Sequence, residues 1–225
     1  MRSTRPTSDG RALKALVTGF DPFGGDKVNP SSLAVKRLEK QIGSLAVHTA
    51  ELPTSYALSA GVLRRVIEEI EPDIVLCVGQ AGGRTELCLE RVAINVQDAR
   101  IRDNDGMQPI DVPVVAGGSS AHFSTLPIKA CVAAMREAGL PAAVSNTAGT
   151  FVCNHIFYAL MDMVQGRSPA IRGGFLHIPY VPEKASRLGG APSMALADIV
   201  RGIEIILEVS ASRTTDVRTA EGRVS

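Results

Sequence analysis

The chemistry this sequence offers centres on one thiol. Cys153 lies in the stretch Thr147-Ala148-Gly149-Thr150-Phe151-Val152-Cys153-Asn154-His155. A short apolar run, Ala142 to Val144, precedes it and an amphipathic helical pattern follows. A thiol at a loop-to-helix junction sits near the positive end of the helix dipole. That setting is expected to favour thiolate, the form that attacks carbonyl carbon. A cysteine nucleophile also needs a base or an imidazolium beside it. His155 is two residues away, which on a helix points it to roughly the opposite side, so a structural or capping role suits it better. His48 falls in a strand pattern and His122 in a Gly-rich stretch, neither with other site signals. His177 falls in Phe175-Leu176-His177-Ile178-Pro179-Tyr180. Read plainly it is a buried histidine bonded to a backbone carbonyl; its place at a strand end favours catalysis. Glu86, Glu90, Asp98, Asp103 and Asp105 could each orient an imidazole, and spacing does not choose among them.

The other cysteines read as packing. Cys77 is inside the apolar run Ile74 to Val78, Cys131 shares a helical face with Ile128, Val132 and Met135, and Cys88 lies between strand candidates. No CxxC pair occurs and the spacing fits neither a disulfide scaffold nor a zinc site. A reducing cytoplasm is the expected compartment. Gly79-Gln80-Ala81-Gly82-Gly83 lacks the spacing of a dinucleotide or phosphate loop and reads as a place where backbone approaches a small ligand. Gly117-Gly118-Ser119-Ser120-Ala121 is not a nucleophile elbow.

The elements that must position these groups alternate between strand and helix. Strands are expected at Leu13 to Thr18, Leu45 to Leu52, Asp73 to Gly79, Arg91 to Gln97, Ala142 to Ser145 and Gly173 to Tyr180. Helices are expected after Asn29-Pro30-Ser31-Ser32, over Tyr56 to Ile70 until Pro72, over Pro127 to Ala138, after Cys153, and over Ala195 to Ser210. Residues 100–120 read as a long loop or excursion. The alternation predicts a mainly parallel sheet covered by helices on both faces, in three layers. Sites in such sheets gather at the carboxyl ends of strands. The Phe20–Phe23 loop, the Gly79-Gln80 turn, the Cys153 junction and the end of the His177 strand would meet there.

Composition narrows the class. With 225 residues, 45% hydrophobic and 21% charged, the chain reads as a single domain over 1–225 with ordinary globular content. Residues 1–12 read as a flexible lead-in, not a secretion signal, and 212–225 as a frayed tail. A net charge of +1 without a basic stripe argues against nucleic acid, and no apolar run is long enough to span a membrane.

Several blocks, in order, resemble one family. They are Val17-Thr18-Gly19-Phe20-Asp21-Pro22-Phe23-Gly24-Gly25 with Val28-Asn29-Pro30-Ser31; Val78-Gly79-Gln80-Ala81-Gly82-Gly83-Arg84; and Glu90-Arg91-Val92-Ala93-Ile94-Asn95. Asp103-Asn104 with Gly106 and Gln108-Pro109, the block from Thr147 to Asp162, and Gly173 to Pro182 complete the set. Together they resemble pyroglutamyl peptidase type I, also called pyrrolidone carboxyl peptidase, a family of bacterial cytosolic cysteine peptidases. The resemblance covers Leu16 to Ala197. Leu89, where relatives often carry proline, and Asn146, where some carry an aromatic residue, depart from the pattern.

The resemblance implies a Cys153, His177 and Glu90 triad, which selects the acid that spacing left open. It implies removal of an N-terminal pyroglutamyl residue from peptides without metal or cofactor. It also implies an α/β/α sandwich of the kind found in nucleoside phosphorylases, and a homotetramer. Phe20 and Phe23 match the family's ring-contacting aromatics. Asn29 and Gln80 are expected polar partners of the lactam, although Asn29 could equally be a helix N-cap. Backbone N–H groups at the Cys153 helix start, with Arg100, would hold the oxyanion. Two rivals stand beside this expectation: a nucleoside phosphorylase-like transferase, and a pyroglutamyl-peptide binder without activity.

Overall fold

The computed structural model describes residues 11–167 and 170–222, so most of the expected lead-in lies outside the described residues. In chain order the elements are β1 (Lys14–Phe20), α1 (Pro30–Lys36), β2 (Gln41–Ile42), β3 (Leu45–Leu52), α2 (Ser59–Ile70) and β4 (Ile74–Gln80). Then follow β5 (Leu87–Glu90), β6 (Val92–Ile94), β7 (Ala121–Phe123), α3 (Ile128–Glu137), β8 (Ala142–Ser145) and α4 (Val152–Val164). The last are β9 (Arg172–Ile178), α5 (Pro182–Ala185), a 3₁₀ turn (Ser186–Leu188) and α6 (Leu196–Ser212).

Seven strands form one sheet in the order β2-β3-β1-β4-β9-β5-β8, and β6 and β7 form a separate ribbon. Strands β3, β1, β4 and β9 run parallel. Their near-continuous apolar runs suit strands buried on both faces. Side chains alternate between two cores. Ala15, Val17, Leu76, Val78, Leu176 and Ile178 point to the face covered by α1, α3 and α6. Leu16, Val75, Cys77 and Phe175 point to the face covered by α2 and α4. This is the three-layer α/β/α arrangement with a mainly parallel mixed sheet that the sequence predicts.

Strand direction departs from the simple expectation. β5 pairs antiparallel with β9 and parallel with β8. The carboxyl end of β8 therefore points away from the carboxyl ends of β4 and β9. The loop 146–151 must carry the chain back before α4 can begin. Two boundaries also moved for local reasons. α2 starts at Ser59 instead of Tyr56 because the Tyr56 N–H donates to the Asp103 carboxylate at 2.8 Å, which draws Tyr56 into the neighbouring loop. α1, expected after Asn29-Pro30-Ser31-Ser32, runs only to Lys36, and the chain then enters the short edge strand β2.

The segment after α6, expected to fray, is tied down as far as it is described. Asp216 accepts from the backbone N–H groups of Lys129 (3.0 Å) and Ala130 (2.9 Å). These are orphan donors at the start of α3, whose own N-cap, Pro127, supplies no side-chain acceptor. Glu221 pairs with Arg136 at 2.7 Å. Asp216→Ala should lower stability in a urea titration by about 1 kcal/mol, the usual worth of a capping carboxylate; an unchanged midpoint would show that the cap contributes nothing.

Candidate active site

Alternation along the strands decides which side chains meet. His177 follows Phe175 by two, and Gly79 follows Cys77 by two, so both belong to the face under α4. Gly79 and His177 are direct partners in the β4–β9 ladder. A Cβ built on Gly79 would lie 2.9 Å from Cys153 Sγ and 2.8 Å from Phe175 Cζ. The sulfur thus occupies the space that a side chain at 79 would fill, one strand over from the imidazole. Cys153 reaches this point as the second residue of α4, with Phe151 as N-cap.

Glu90 ends β5 and has no solvent exposure. Its Oε1 lies 2.8 Å from His177 Nδ1. A carboxylate only accepts, so Nδ1 carries the proton and Nε2 is left as the free base. Arg84 NH2 stands 3.0 Å from the same Oε1. Of the five candidate acids, Glu90 is therefore the one the fold delivers to the imidazole. Asp103 instead accepts from the N–H groups of Tyr56, Asp105 and Met107 and holds loops together. Asp98 and Asp105 are exposed.

The remaining histidines are placed elsewhere. His48 is exposed, and His122 lies 3.4 Å from Asp162. His155 is buried edge-on against Tyr56 with no hydrogen-bond partner at either nitrogen, so it packs and does not cap. Burial pushes its pKa down to about 4.

A cavity of about 130 Å³ opens beside Cys153. Phe20, Phe23, Asn29 and Gln80 line it as expected, together with Asp26, Val28, Thr54, Phe151, Val152 and Lys184. Phe23 and Phe151 meet at 5.3 Å between ring centroids, and Phe151 meets Tyr56 edge-on at 5.6 Å. The charged lining residues Asp26 and Lys184 are ion-paired to each other. Gln80 Oε1 is buried without a hydrogen-bond partner. The Asn29 side chain is committed to the fold: Oδ1 accepts from the Ser31 N–H at 3.0 Å, and Nδ2 donates to the Asp21 carbonyl at 2.9 Å. Arg100 is exposed in the loop after Ala99 and does not line this cavity. Phe151 is the wall residue that motif reading passed over; an aromatic two places before the thiol was its only signal.

Burial opposes the helix end at the sulfur. Burial pushes the Cys153 thiol up to about 12, with the Glu90 charge adding to it, while Arg84 pulls the other way. Burial likewise lowers His177, against the opposing pull of Glu90. Each shift leads away from a thiolate–imidazolium pair. Desolvation of the sulfur outweighs the helix end. Cys77 and Cys131 are pushed up to about 12 and Cys88 is also raised, all by burial. Cys153 is the one of the four that is not fully buried. Among the described residues, no group of three or more His, Cys, Asp or Glu side chains is arranged to hold a metal ion. No described helix is long and apolar enough to cross a membrane.

The sequence profile of the pyroglutamyl peptidase family matches residues 13–213. A pyrrolidone-carboxylate peptidase from Bacillus cereus is 52% identical over 203 residues, covering 90% of this chain and 94% of its own. The crystal structure of pyroglutamyl peptidase I from Bacillus amyloliquefaciens superposes with a TM-score of 0.90 at 48% identity, over 92% of this chain and 99% of that one. The pyrrolidone carboxyl peptidase of Thermococcus litoralis does so with a TM-score of 0.87 at 36% identity, over 92% and 99%. An α/β/α fold with these relatives places the molecule among the cysteine-peptidase hydrolases. Within that class, the chain belongs to the pyroglutamyl peptidase family.

Two outcomes test this geometry. Gly79→Ala must displace either Cys153 Sγ or the Phe175 ring, so turnover should fall at least about tenfold while overpacking costs about 1–3 kcal/mol of stability; wild-type turnover would show that the sulfur does not need that space. Iodoacetamide should label Cys153 before the other cysteines, with a rate that climbs through neutral pH into the alkaline range. A rate already at its plateau in mild acid would mean that the resting group is thiolate after all.

Proposed function

We propose that this chain hydrolyses the amide bond following an N-terminal pyroglutamyl residue, with Cys153 as nucleophile, His177 as general base and acid, and Glu90 as the group that orients the imidazole. The observation that carries this reading is the buried Glu90–His177 contact of 2.8 Å, one strand from a sulfur that borders a small aromatic-walled cavity.

The chemistry follows from the placement of sulfur, imidazole and carboxylate. His177 Nε2 takes the Sγ–H proton as sulfur bonds to the carbonyl carbon. Negative charge develops on the carbonyl oxygen. The first N–H groups of α4 have no side-chain cap and no acidic residue in the first turn, so they are available as oxyanion donors. The C–N bond then breaks, and the imidazolium gives its proton to the leaving amine. Water attacks the thioester with His177 again as base. The C–S bond breaks, pyroglutamate leaves, and the proton returns to sulfur. Arg100 contributes to this scheme only if its loop moves, so the backbone donors carry the oxyanion here.

The cavity suits the acyl group. Pyroglutamate has no free amine, and the cavity offers no unpaired charge: Asp26 and Lys184 neutralise one another. Phe20, Phe23 and Phe151 give flat apolar walls for a five-membered ring. Gln80 lines the cavity, and its unpartnered Oε1 is an acceptor suited to the lactam N–H. Asn29 shapes the wall as an N-cap more than it binds. A nucleoside phosphorylase reading fares worse. A volume of about 130 Å³ is small for base, ribose and phosphate together, and no arginine lines it. The assignment extends to a homotetramer in the cytoplasm. Four free cysteines suit a reducing compartment. Exposed Ile101, Met107, Ile110 and Val112, on the excursion, offer apolar surface that subunits could cover.

Release of a fluorogenic amine from a pyroglutamyl amide tests the proposal. Cys153→Ala and His177→Ala should each reduce turnover by at least about 10³-fold with the fold intact, and added phosphate should change nothing. The matching prolyl amide, which lacks the lactam carbonyl, should be turned over at least about 10³-fold more slowly. Retained activity in either variant, or a requirement for phosphate, would sink the assignment.

A further inference from the structure

We propose that Arg84 is a positioning residue for this reaction: its guanidinium bridges the buried Glu90 carboxylate and the Thr147 carbonyl, fixing the group that orients His177 to the loop that delivers Cys153. The proposal rests on the triad reading above. Arg84 NH2 lies 3.0 Å from Glu90 Oε1 and 3.2 Å from the carbonyl oxygen of Thr147. Thr147 lies early in the return loop from β8 to α4, and Cys153 is the second residue of α4. One side chain therefore touches both halves of the site.

The need for such a group follows from the burial of Glu90. Its carboxylate has no exposure, and its second oxygen, Oε2, is buried without a hydrogen-bond partner. Compensation for taking that charge out of water falls on the donors at Oε1, which are His177 and Arg84. Without Arg84 the imidazole would be the sole donor. The carboxylate would then draw His177 toward the imidazolium, a form that cannot accept the thiol proton.

The local backbone is built to bring Arg84 there. After β4 the chain turns through Gly82 and Gly83. A Cβ on Gly82 would stand 2.0 Å from the Tyr180 hydroxyl, and Gly83 has φ +86°. Both positions exclude ordinary side chains, so the turn is tight and Arg84 folds back over the ends of β5 and β9. Gly82 and Gly83 serve this packing, while Gln80 of the same turn lines the cavity.

The charged and titratable groups facing His177 are Glu90 and Cys88 on β5, Arg84 on the preceding turn, Cys153 on α4 and Cys77 on β4. Cys88, the ladder partner of His177, also contacts Arg84 and has its pKa raised by burial. The positive charge of Arg84 lowers the pKa of His177, adding to burial, while Glu90 raises it. Removing Arg84 thus moves the acid limb of kcat/KM upward, since the base form is lost at higher pH.

Pyroglutamyl-amide kinetics across pH for wild type, Arg84→Met, Arg84→Lys, Glu90→Gln and the Arg84→Met/Glu90→Gln double variant test this. Arg84→Met should lower kcat more than it changes KM, with a loss about tenfold larger near pH 6 than near pH 8. Arg84→Lys, which keeps the charge without the two-point bridge, should keep the wild-type acid limb and recover part of kcat. In the Glu90→Gln background, Arg84→Met should add less than about threefold, because it acts through Glu90. A pH-independent loss, a change confined to KM, or an equal loss in both backgrounds would overturn the proposal. Should the Met variant fail to fold, Arg84→Lys decides alone, and an unchanged kcat would overturn it. A fully active Glu90→Gln enzyme would instead overturn the triad reading itself.

Discussion

The constraint on which the rest depends is a carboxylate held without solvent in the middle of a mixed sheet. Burying an ionised group costs several kcal/mol unless donors meet it, and removing one partner of such a pair typically costs about 3–5 kcal/mol. Glu90 meets this condition at a single oxygen, through His177 at 2.8 Å and Arg84 at 3.0 Å. Much of the local architecture follows from it. β5 must run against β9 so that Glu90 lies diagonally across from His177 on the α4 face. The turn before β5 must fold tightly so that Arg84 returns to the same oxygen.

The second requirement is to bring sulfur to the imidazole. β8 leaves the sheet in the wrong direction, and loop 146–151 corrects for it. Asn154, fully buried, holds the start of α4 by accepting from Ile94 N–H at 3.0 Å and donating to the carbonyls of Ile94 and Val96 at 2.9 and 3.0 Å. Gly79 then leaves a gap in the sheet surface that the thiol occupies. Desolvation raises the thiol pKa and lowers that of the imidazole. Both shifts oppose separating charge between sulfur and imidazole.

How much of this could be read in the sequence depended on the range of the forces involved. β8 and β3 fell at their expected residues, and β4 and β9 within two, because buried parallel strands announce themselves as short apolar runs. α2 was legible from its fourfold apolar spacing, except at its start, where a distant Asp103 intervenes. β5 was missed: four residues between charged neighbours carry too little pattern, and its direction is set by partners far along the chain. Cys153 and His177 were legible as candidates from context, whereas Glu90 was separable from four other acids only through family resemblance. Phe20, Phe23 and Gln80 do line the cavity; Asn29 turned out to be spent on capping, and Arg100 stands outside. Arg84 carried no local signal, since its role exists only once two loops are brought together. The pull on the thiol was only half legible: the helix end is visible in sequence, the desolvation that opposes it is not.

The central claim is that Cys153, delivered beside a His177 that Glu90 orients, takes the pyroglutamyl group covalently. Rapid acid quench during the first turnover of a pyroglutamyl amide, followed by peptide mapping by mass spectrometry, tests it most directly. The account predicts a pyroglutamyl thioester on the peptide that carries Cys153. Turnover with no adduct on that peptide, or an adduct carried by Cys88 instead, would contradict it.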